Sequence, residues 1–552
     1  MAAVRNGFCG LVLIAIVAFV YWPGVHGFWG RDDFMQLAFA RLIGSPWPLF
    51  THDHFPAAAG SVFRPLGFAS MWLGAQWFGV DYPAHAMSDL ALHIGVSLTL
   101  MLLLLRAAIP RPIALLSTLL FAVHPAVIGT ALWWSARFDL LSTLFILLAL
   151  VAAFEYRVRL SRYALPCVLL SALAAMLCKE IGLAVVVALS LLWLRWASIE
   201  PTFRAKAMRA LALTWLMAAI YLGWRWCVLG TASSELAGAT PVHQLLAKGV
   251  LDWLQQAPGY WSFWIRLSQV QRIALVLGLA ALGASGVAAF MSEQARQMLK
   301  RHADLAICGF SVFLLPALLQ APVAALNAAP LNADVSVIET AMQSRLYYLG
   351  LAGAVIMLAV FLSSTWRATN LKMRAVNLLG LGVWAIAFAC ASHRNAHAFA
   401  KRAVDISAVA RDAVAAVGAL DLPASNCHVA LLDAHPAPEW SQFVSMDSII
   451  KAVSPDLTRV RHCYFHADYP TYFHLLGEPV DLTDVSPYRP RETSGVVEPW
   501  RHVGGVTIAH LALPKSASTE EFARVTFLDY RDGRFVNVSD EVVAGRLAMR
   551  LQ

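Results

Sequence analysis

Long apolar runs separated by short charged stretches set the pattern of this chain. Such runs recur at roughly 7–22, 86–105, 112–131, 138–154, 163–178, 181–197, 210–229, 272–291, 304–322, 346–366 and 374–391. A helix that crosses the hydrocarbon core needs about 20 mostly apolar residues, so the pattern predicts about eleven spans. The run at 63–80, "FRPLGFASMWLGAQWFGV", is short and broken by Pro65; it reads as an interfacial or re-entrant helix. The run at 245–264 is open between the two. No small-residue cleavage site follows the first run, which reads as a retained span. After residue 392 the pattern changes. Residues 393–420 read as an amphipathic helix, "CHVALLD" and "GVTIAHLAL" as strands, and "ARVTFLDYRDGRFVNV" as a hairpin turning at Asp532 and Gly533. The expected fold is an α-helical polytopic membrane domain, 1–392, followed by a soluble α/β domain, 393–552.

Composition agrees with this class. Of 552 residues 59% are hydrophobic and only 14% charged, against about 25% charged in soluble domains. The net charge of +8 is a membrane-orientation signal and not a nucleic-acid footprint, because the basic residues cluster in alternate short loops. With the N-terminus inside, those loops carry Arg5; Arg106 and Arg111; Arg157, Arg159 and Arg162; Arg195, Arg204, Lys206 and Arg209; Arg296, Lys300 and Arg301; Arg367, Lys372 and Arg374. An odd number of spans then places the C-terminal domain outside. For a bacterial chain this means the inner membrane, with that domain in the periplasm. Of the eight cysteines only Cys427 and Cys463 fall in the outer domain, and an oxidising compartment lets them pair. No phosphate loop, dinucleotide fingerprint or CxxC or HExxH metal motif is present, which argues against ATP-driven or nicotinamide-dependent chemistry.

On this topology the chemistry-bearing residues collect on the outer face. The first outer loop holds His26, Arg31, Asp32, Asp33, His52, Asp53, His54 and Arg64; the second His124, Trp133, Trp134, Arg137 and Asp139; the third Lys179 and Glu180; a later one ends in Arg345, Tyr347 and Tyr348. Each has a plain reading. Asp32 and Asp33 can simply start a helix at its positive end, and Lys179 with Glu180 can be an interfacial turn. Together on one leaflet they suit the cleavage of a lipid-linked sugar phosphate. That reaction needs cations for the departing phosphate, here Arg137, Lys179 and Arg345. It needs rings and polar groups for sugar and acceptor, here Arg64, His124, Trp133, Trp134, Asp139, Glu180, Tyr347 and Tyr348. It needs a carboxylate to take the acceptor's proton, here Asp32 or Asp33. No nucleotide site is required, because the sugar arrives activated on lipid.

The ordered stretches "RDDFMQL", "SVFRPLGFASMWLGAQWFGVDYPAHAMSDLALH", "LLFAVHPAVIGTALWWSARFDLLSTLFILLAL", "LCKEIGLAVVVALSLL" and "SRLYYLGLAG" resemble the GT-C superfamily of integral-membrane glycosyltransferases. Within it the likeness is to transmembrane O-mannosyltransferases with tetratricopeptide repeats and their bacterial relatives. It covers the N-terminal half well and the later spans thinly. The resemblance implies a polyprenyl-phosphate sugar donor, a catalytic acidic pair at Asp32 and Asp33, an inverting transfer, and a candidate divalent cation, Mg or Mn, near Asp33, His52 and His54. The chain departs from the pattern at Gly129, where relatives often carry Glu, and at Gly350, where they commonly carry Pro. It also lacks C-terminal tetratricopeptide repeats, so the acceptor stays open between glycolipid, polysaccharide and protein. The alternative class is a non-catalytic transporter or assembly scaffold for lipid-linked saccharides. Related halves and mid-membrane broken helices would mark a transporter; the sequence shows no such halves, and its polar residues lie at the outer edge rather than mid-membrane. An O-antigen-type polymerase or ligase would need a large outer loop between spans.

Overall fold

The computed structural model describes residues 2–52, 62–159, 163–230, 293–319, 344–368, 371–423, 427–432, 446–467, 498–503, 506–510 and 525–543, with a few positions between 251 and 280. Among the described residues seven helices are long and apolar enough to cross a membrane: Gly7–His26, Tyr82–Arg106, Trp134–Arg159, Glu180–Ile199, Arg204–Leu229, Arg345–Trp366 and Met373–Ile406. Arg111–Ala122 and Pro125–Leu132 pass the same test only as a pair, bent by 52° between them, which is the shape of a broken span or a re-entrant loop. Pro125 causes the bend, since it cannot donate a backbone hydrogen bond and disfavours helix at His124 before it.

Ten of the eleven predicted spans thus appear as helices, but two, Ala164–Cys178 and Ala303–Pro316, are shorter than a full span. The eleventh, 272–291, and the stretch 245–264 lie almost wholly outside the described residues. The run broken by Pro65 is a 14-residue helix, Pro65–Phe78, with its proline in the first turn, where the missing N–H costs nothing.

By packing, the chain forms two compact units, described separately here. The first comprises Met1–His26, Ala86–Ala232 and Ala239–Phe399; the second Gly27–His85, Ser233–Gly238 and Ala400–Gln552. The first loop therefore groups with the C-terminal segment.

In the first unit, short connections and close helix contacts set the layout. Helix Ala164–Cys178 ends where Lys179 turns extended (φ −162°, ψ 151°), and the chain re-enters a single 3₁₀ turn at Glu180–Leu183. Gly182 allows that turn: a Cβ there would lie 2.3 Å from the Ala175 carbonyl carbon. Ser142 donates to the Ala175 carbonyl (3.1 Å), fixing this end against helix Arg137–Arg159. Helices Ala303–Leu319 and Tyr348–Ala368 cross at Gly353, where a Cβ would lie 2.3 Å from the Phe313 nitrogen. Small residues let spans approach this closely. At the ends expected to face inward, Arg157 pairs with Glu200 and Asp304, Arg195 with Asp304 (2.5 Å), and Arg106 with Glu155. Part of the basic charge on that side is thus neutralised by carboxylates.

In the second unit, strands β1 (His428–Leu432), β2 (Tyr464–Ala467), β3 (Glu498–Val503), β4 (Val506–His510), β5 (Val525–Arg531) and β6 (Arg534–Asn537) form two sheets. One has the order β2-β1-β5-β6, with β1 parallel to both neighbours and β5 antiparallel to β6; β3 and β4 make a separate antiparallel pair. Asp532 and Gly533 turn the β5–β6 hairpin with φ of 50° and 82°, the positive values a two-residue turn needs at both positions. The amphipathic stretch 393–420 is divided: the last span continues as one helix to Ile406, and Ala408–Ala419 follows after Ser407.

Cys427 and Cys463 are joined by a disulfide, Cα to Cα 4.5 Å, across a separation of 36 residues. It ties the start of β1 to the start of β2. Replacing both with Ser is expected to lower the unfolding free energy of this region by about 3–4 kcal/mol in the loop-entropy account. Thermal denaturation of the oxidised, reduced and substituted proteins checks this; identical curves for all three would contradict it.

Candidate functional site

Asp32 and Asp33 open helix Asp32–Leu42 in the second unit. Their environments differ. Asp33 is buried, and its carboxylate accepts the Gly30 N–H at 3.2 Å. Asp32 is half-buried, and no hydrogen bond or ion pair holds its carboxylate among the described residues. Arg31, just before the helix, takes a left-handed φ of 49°. A non-glycine residue there is uncommon, and such strain tends to gather at functional sites. Trp29 closes the base of the loop: its indole donates to the Val80 carbonyl (3.3 Å) and stands edge-on to Tyr82 and His85. Arg64 is half-buried at the cap of helix Pro65–Phe78. His52 is exposed and bonded to Thr51 (2.8 Å); Asp53 and His54 lie outside the described residues. Among the described residues no three His, Cys, Asp or Glu side chains gather in a way that could hold a metal ion. The candidate Mg or Mn therefore has no described ligand set.

In the first unit, the three candidate phosphate cations are all tied to one stretch, 133–139. Arg345 lies over the Trp133 ring, 4.2 Å from its centroid, a cation–π distance. Arg137 lies beside the Trp134 ring (5.7 Å), donates from Nε to Asp89 (2.6 Å) and bonds to Ser88. Lys179 donates to both oxygens of Asp139, at 2.7 and 2.8 Å. Arg137, Lys179, Asp89 and Asp139 are all buried. Charges held out of water must be paired, and here Asp89 pairs with Arg137 and Asp139 with Lys179. Glu180 is 3.4 Å from Arg225. Among the described residues, the buried Trp133 indole N–H and the second oxygen of Asp89 have no hydrogen-bond partner. Buried polar atoms of this kind are uncommon, and here they flank the cations.

A second buried knot supports the motif that carries Arg345. His93 Nε2 faces the Ala122 carbonyl (2.9 Å) and its Nδ1 faces the Tyr348 hydroxyl (2.8 Å). A carbonyl only accepts, so Nε2 carries the proton and Tyr348 donates to Nδ1. The Tyr348 hydroxyl is thereby engaged with His93. Tyr347 is buried beside it. His124 caps the turn Pro125–Val127: its Nδ1 accepts the Ala126 N–H (3.1 Å), and its carbonyl accepts from Tyr21 (3.2 Å). The ring also stands edge-on to Phe388, 4.6 Å between centroids.

Asp89, Ser88 and His93 escape the sequence reading. The signal was available: "SDLALH" puts a carboxylate and a histidine at i and i+4 inside an apolar run, and an ionisable residue within a span marks function or a buried partner.

No protein-family model matches the sequence. No curated protein matches it either. Solved structures similar to it include the following. One is the Archaeoglobus fulgidus oligosaccharyltransferase tethered to an acceptor peptide containing the NVT sequon, at 13% identity and a TM-score of 0.43, over 82% of this chain and 63% of that one. This chain thus spans somewhat under two thirds of that protein. Another is ArnT from Cupriavidus metallidurans bound to undecaprenyl phosphate, at 13% identity and TM-score 0.43, over 89% of this chain and 97% of that one. The apo state of the same ArnT matches at 13% identity and TM-score 0.41, over 82% and 85%.

Proposed function

We propose that the protein is an inverting glycosyltransferase that moves one sugar from a polyprenyl-phosphate carrier, undecaprenyl phosphate in a bacterium, to a cell-envelope acceptor. It works at the outer face of the inner membrane. The observation that carries this reading is the attachment of Arg137, Lys179 and Arg345 to one buried stretch with two tryptophans. A phosphate at the end of a lipid chain matches it: the anion meets charge-assisted donors, and the apolar spans take the chain.

In the transfer, the acceptor hydroxyl attacks the anomeric carbon as the bond from that carbon to the phosphate oxygen breaks. Asp32 receives the hydroxyl proton, and its lack of a partner among the described residues leaves it available as a base. The bonding electrons leave with the polyprenyl phosphate, whose charge the three cations stabilise. Attack opposite the leaving group inverts the anomeric centre.

Arg345→Lys tests the phosphate assignment. It keeps the charge but loses the planar fork and its stacking on Trp133. Affinity for undecaprenyl phosphate, measured by native mass spectrometry on the full-length protein, is expected to fall about tenfold, or about 1.4 kcal/mol. Unchanged binding in Arg345→Lys and Arg345→Met would remove Arg345 from the site.

A further inference from the structure

Helix Asp32–Leu42 does not stand alone. Near its C-terminal end the Arg41 guanidinium donates from one nitrogen to three carbonyls, Lys451 at 3.0 Å, Ala452 at 2.7 Å and Ser454 at 2.9 Å. These carbonyls end helix Met446–Val453, where backbone acceptors lack helical partners and the dipole is negative. A cation is the favoured cap at such an end. Burial pulls the Arg41 guanidinium below its usual range, yet arginine stays charged in proteins, so its acceptors must be near. Between the two anchored ends, Phe34 to Ala40 are all buried. A second tie lies upstream, where the Arg411 guanidinium sits over the Phe28 ring at 5.7 Å. Helix Met446–Val453 is itself enclosed by the chain loop that the Cys427 to Cys463 disulfide closes.

We propose that Arg41 is a positioning residue through which the C-terminal segment holds the helix that bears Asp32 and Asp33. Nine residues separate Asp32 from Arg41, about 13 Å of helix. A clasp at one end of so short a rigid rod sets the direction of the carboxylates at the other. The C-terminal segment thus acts as a fixed mount for the first loop, although some 410 residues separate Arg41 from Lys451. The consequence for catalysis rests on the transferase reading above; the mount itself does not.

Two measurements on the full-length protein test this, with Arg41→Met, which keeps the apolar stem, and Arg41→Lys, whose ammonium can cap the same carbonyls from a slightly shorter stem. Hydrogen exchange in 32–42 and 446–453 is expected to speed up about tenfold or more in Arg41→Met and to return towards wild type in Arg41→Lys. Sugar transfer is expected to follow: kcat falls about tenfold or more in Arg41→Met with KM for the lipid donor unchanged, as expected of displaced geometry, and recovers in Arg41→Lys. Added ethylguanidinium should restore part of the Arg41→Met rate. Unchanged exchange in Arg41→Met overturns the clasp, and faster exchange with unchanged kcat overturns the positioning role. If the wild-type protein transfers no sugar, the transferase reading fails while the exchange measurement still decides the clasp.

Discussion

Asp32→Asn is expected to slow sugar transfer by about 10²–10⁴-fold, the usual worth of a positioned base. Asn keeps the shape and hydrogen-bonding capacity of Asp and removes only its basicity. Folding and binding of the lipid donor should survive. The two carboxylates separate clearly in this test, because Asp33 is buried on the Gly30 N–H and Asn can accept that same bond. Asp33→Asn is therefore expected to cost far less. If the pair merely starts a helix, both substitutions should be nearly silent, since Asn caps a helix about as well as Asp. Initial rates at saturating lipid-linked sugar decide the matter, and full activity in both single mutants would reduce the aspartates to a cap.

Arg137→Met should abolish transfer and also destabilise the protein by about 3–5 kcal/mol, because it strands Asp89 as a buried, uncompensated charge. Asp89→Leu should do comparable harm by stranding Arg137. The double substitution removes both charges from a site where each is almost wholly shielded from solvent, and it is expected to fold better than either single variant. It should still transfer no sugar, because the phosphate has lost a cation. Thermal unfolding and transfer measured on all three separate the structural role of the pair from its chemical role. A double variant that is no more stable than Arg137→Met would argue against a buried pair. An active double variant would free Arg137 from the phosphate.

The spans were legible because each needs only a local apolar run, and period and length carry that signal. So were the β5–β6 hairpin, announced by Asp532 and Gly533 between alternating strands, and the break at Lys179, announced by two ions between apolar runs. The grouping of the first loop with the C-terminal segment was not. It depends on contacts such as Arg41 to the 451–454 carbonyls, and nothing local in "LAFARL" names a partner so far along the chain. Asp89 was hidden differently: one carboxylate in an apolar run looks like an interruption until Arg137 is folded against it. The candidate cations were legible as residue types, but their common attachment to 133–139 was not. Nor were the hydrogen bonds of His124 to the Ala126 N–H and of Tyr348 to His93, which depend on the turn at Pro125 and on a helix 255 residues away.

The central claim is that a sugar leaves a polyprenyl-phosphate carrier on this protein. Full-length protein in lipid nanodiscs, incubated with a panel of radiolabelled polyprenyl-phosphate sugars and an envelope extract as acceptor, tests it directly. The account predicts that one donor releases free polyprenyl phosphate as its label moves to the acceptor fraction, that the new linkage has the inverted anomeric configuration, and that Asp32→Asn loses both events while still binding the donor. Donor binding without release of polyprenyl phosphate by the wild-type protein, across the whole panel, would contradict it and favour a carrier or scaffold for lipid-linked saccharides.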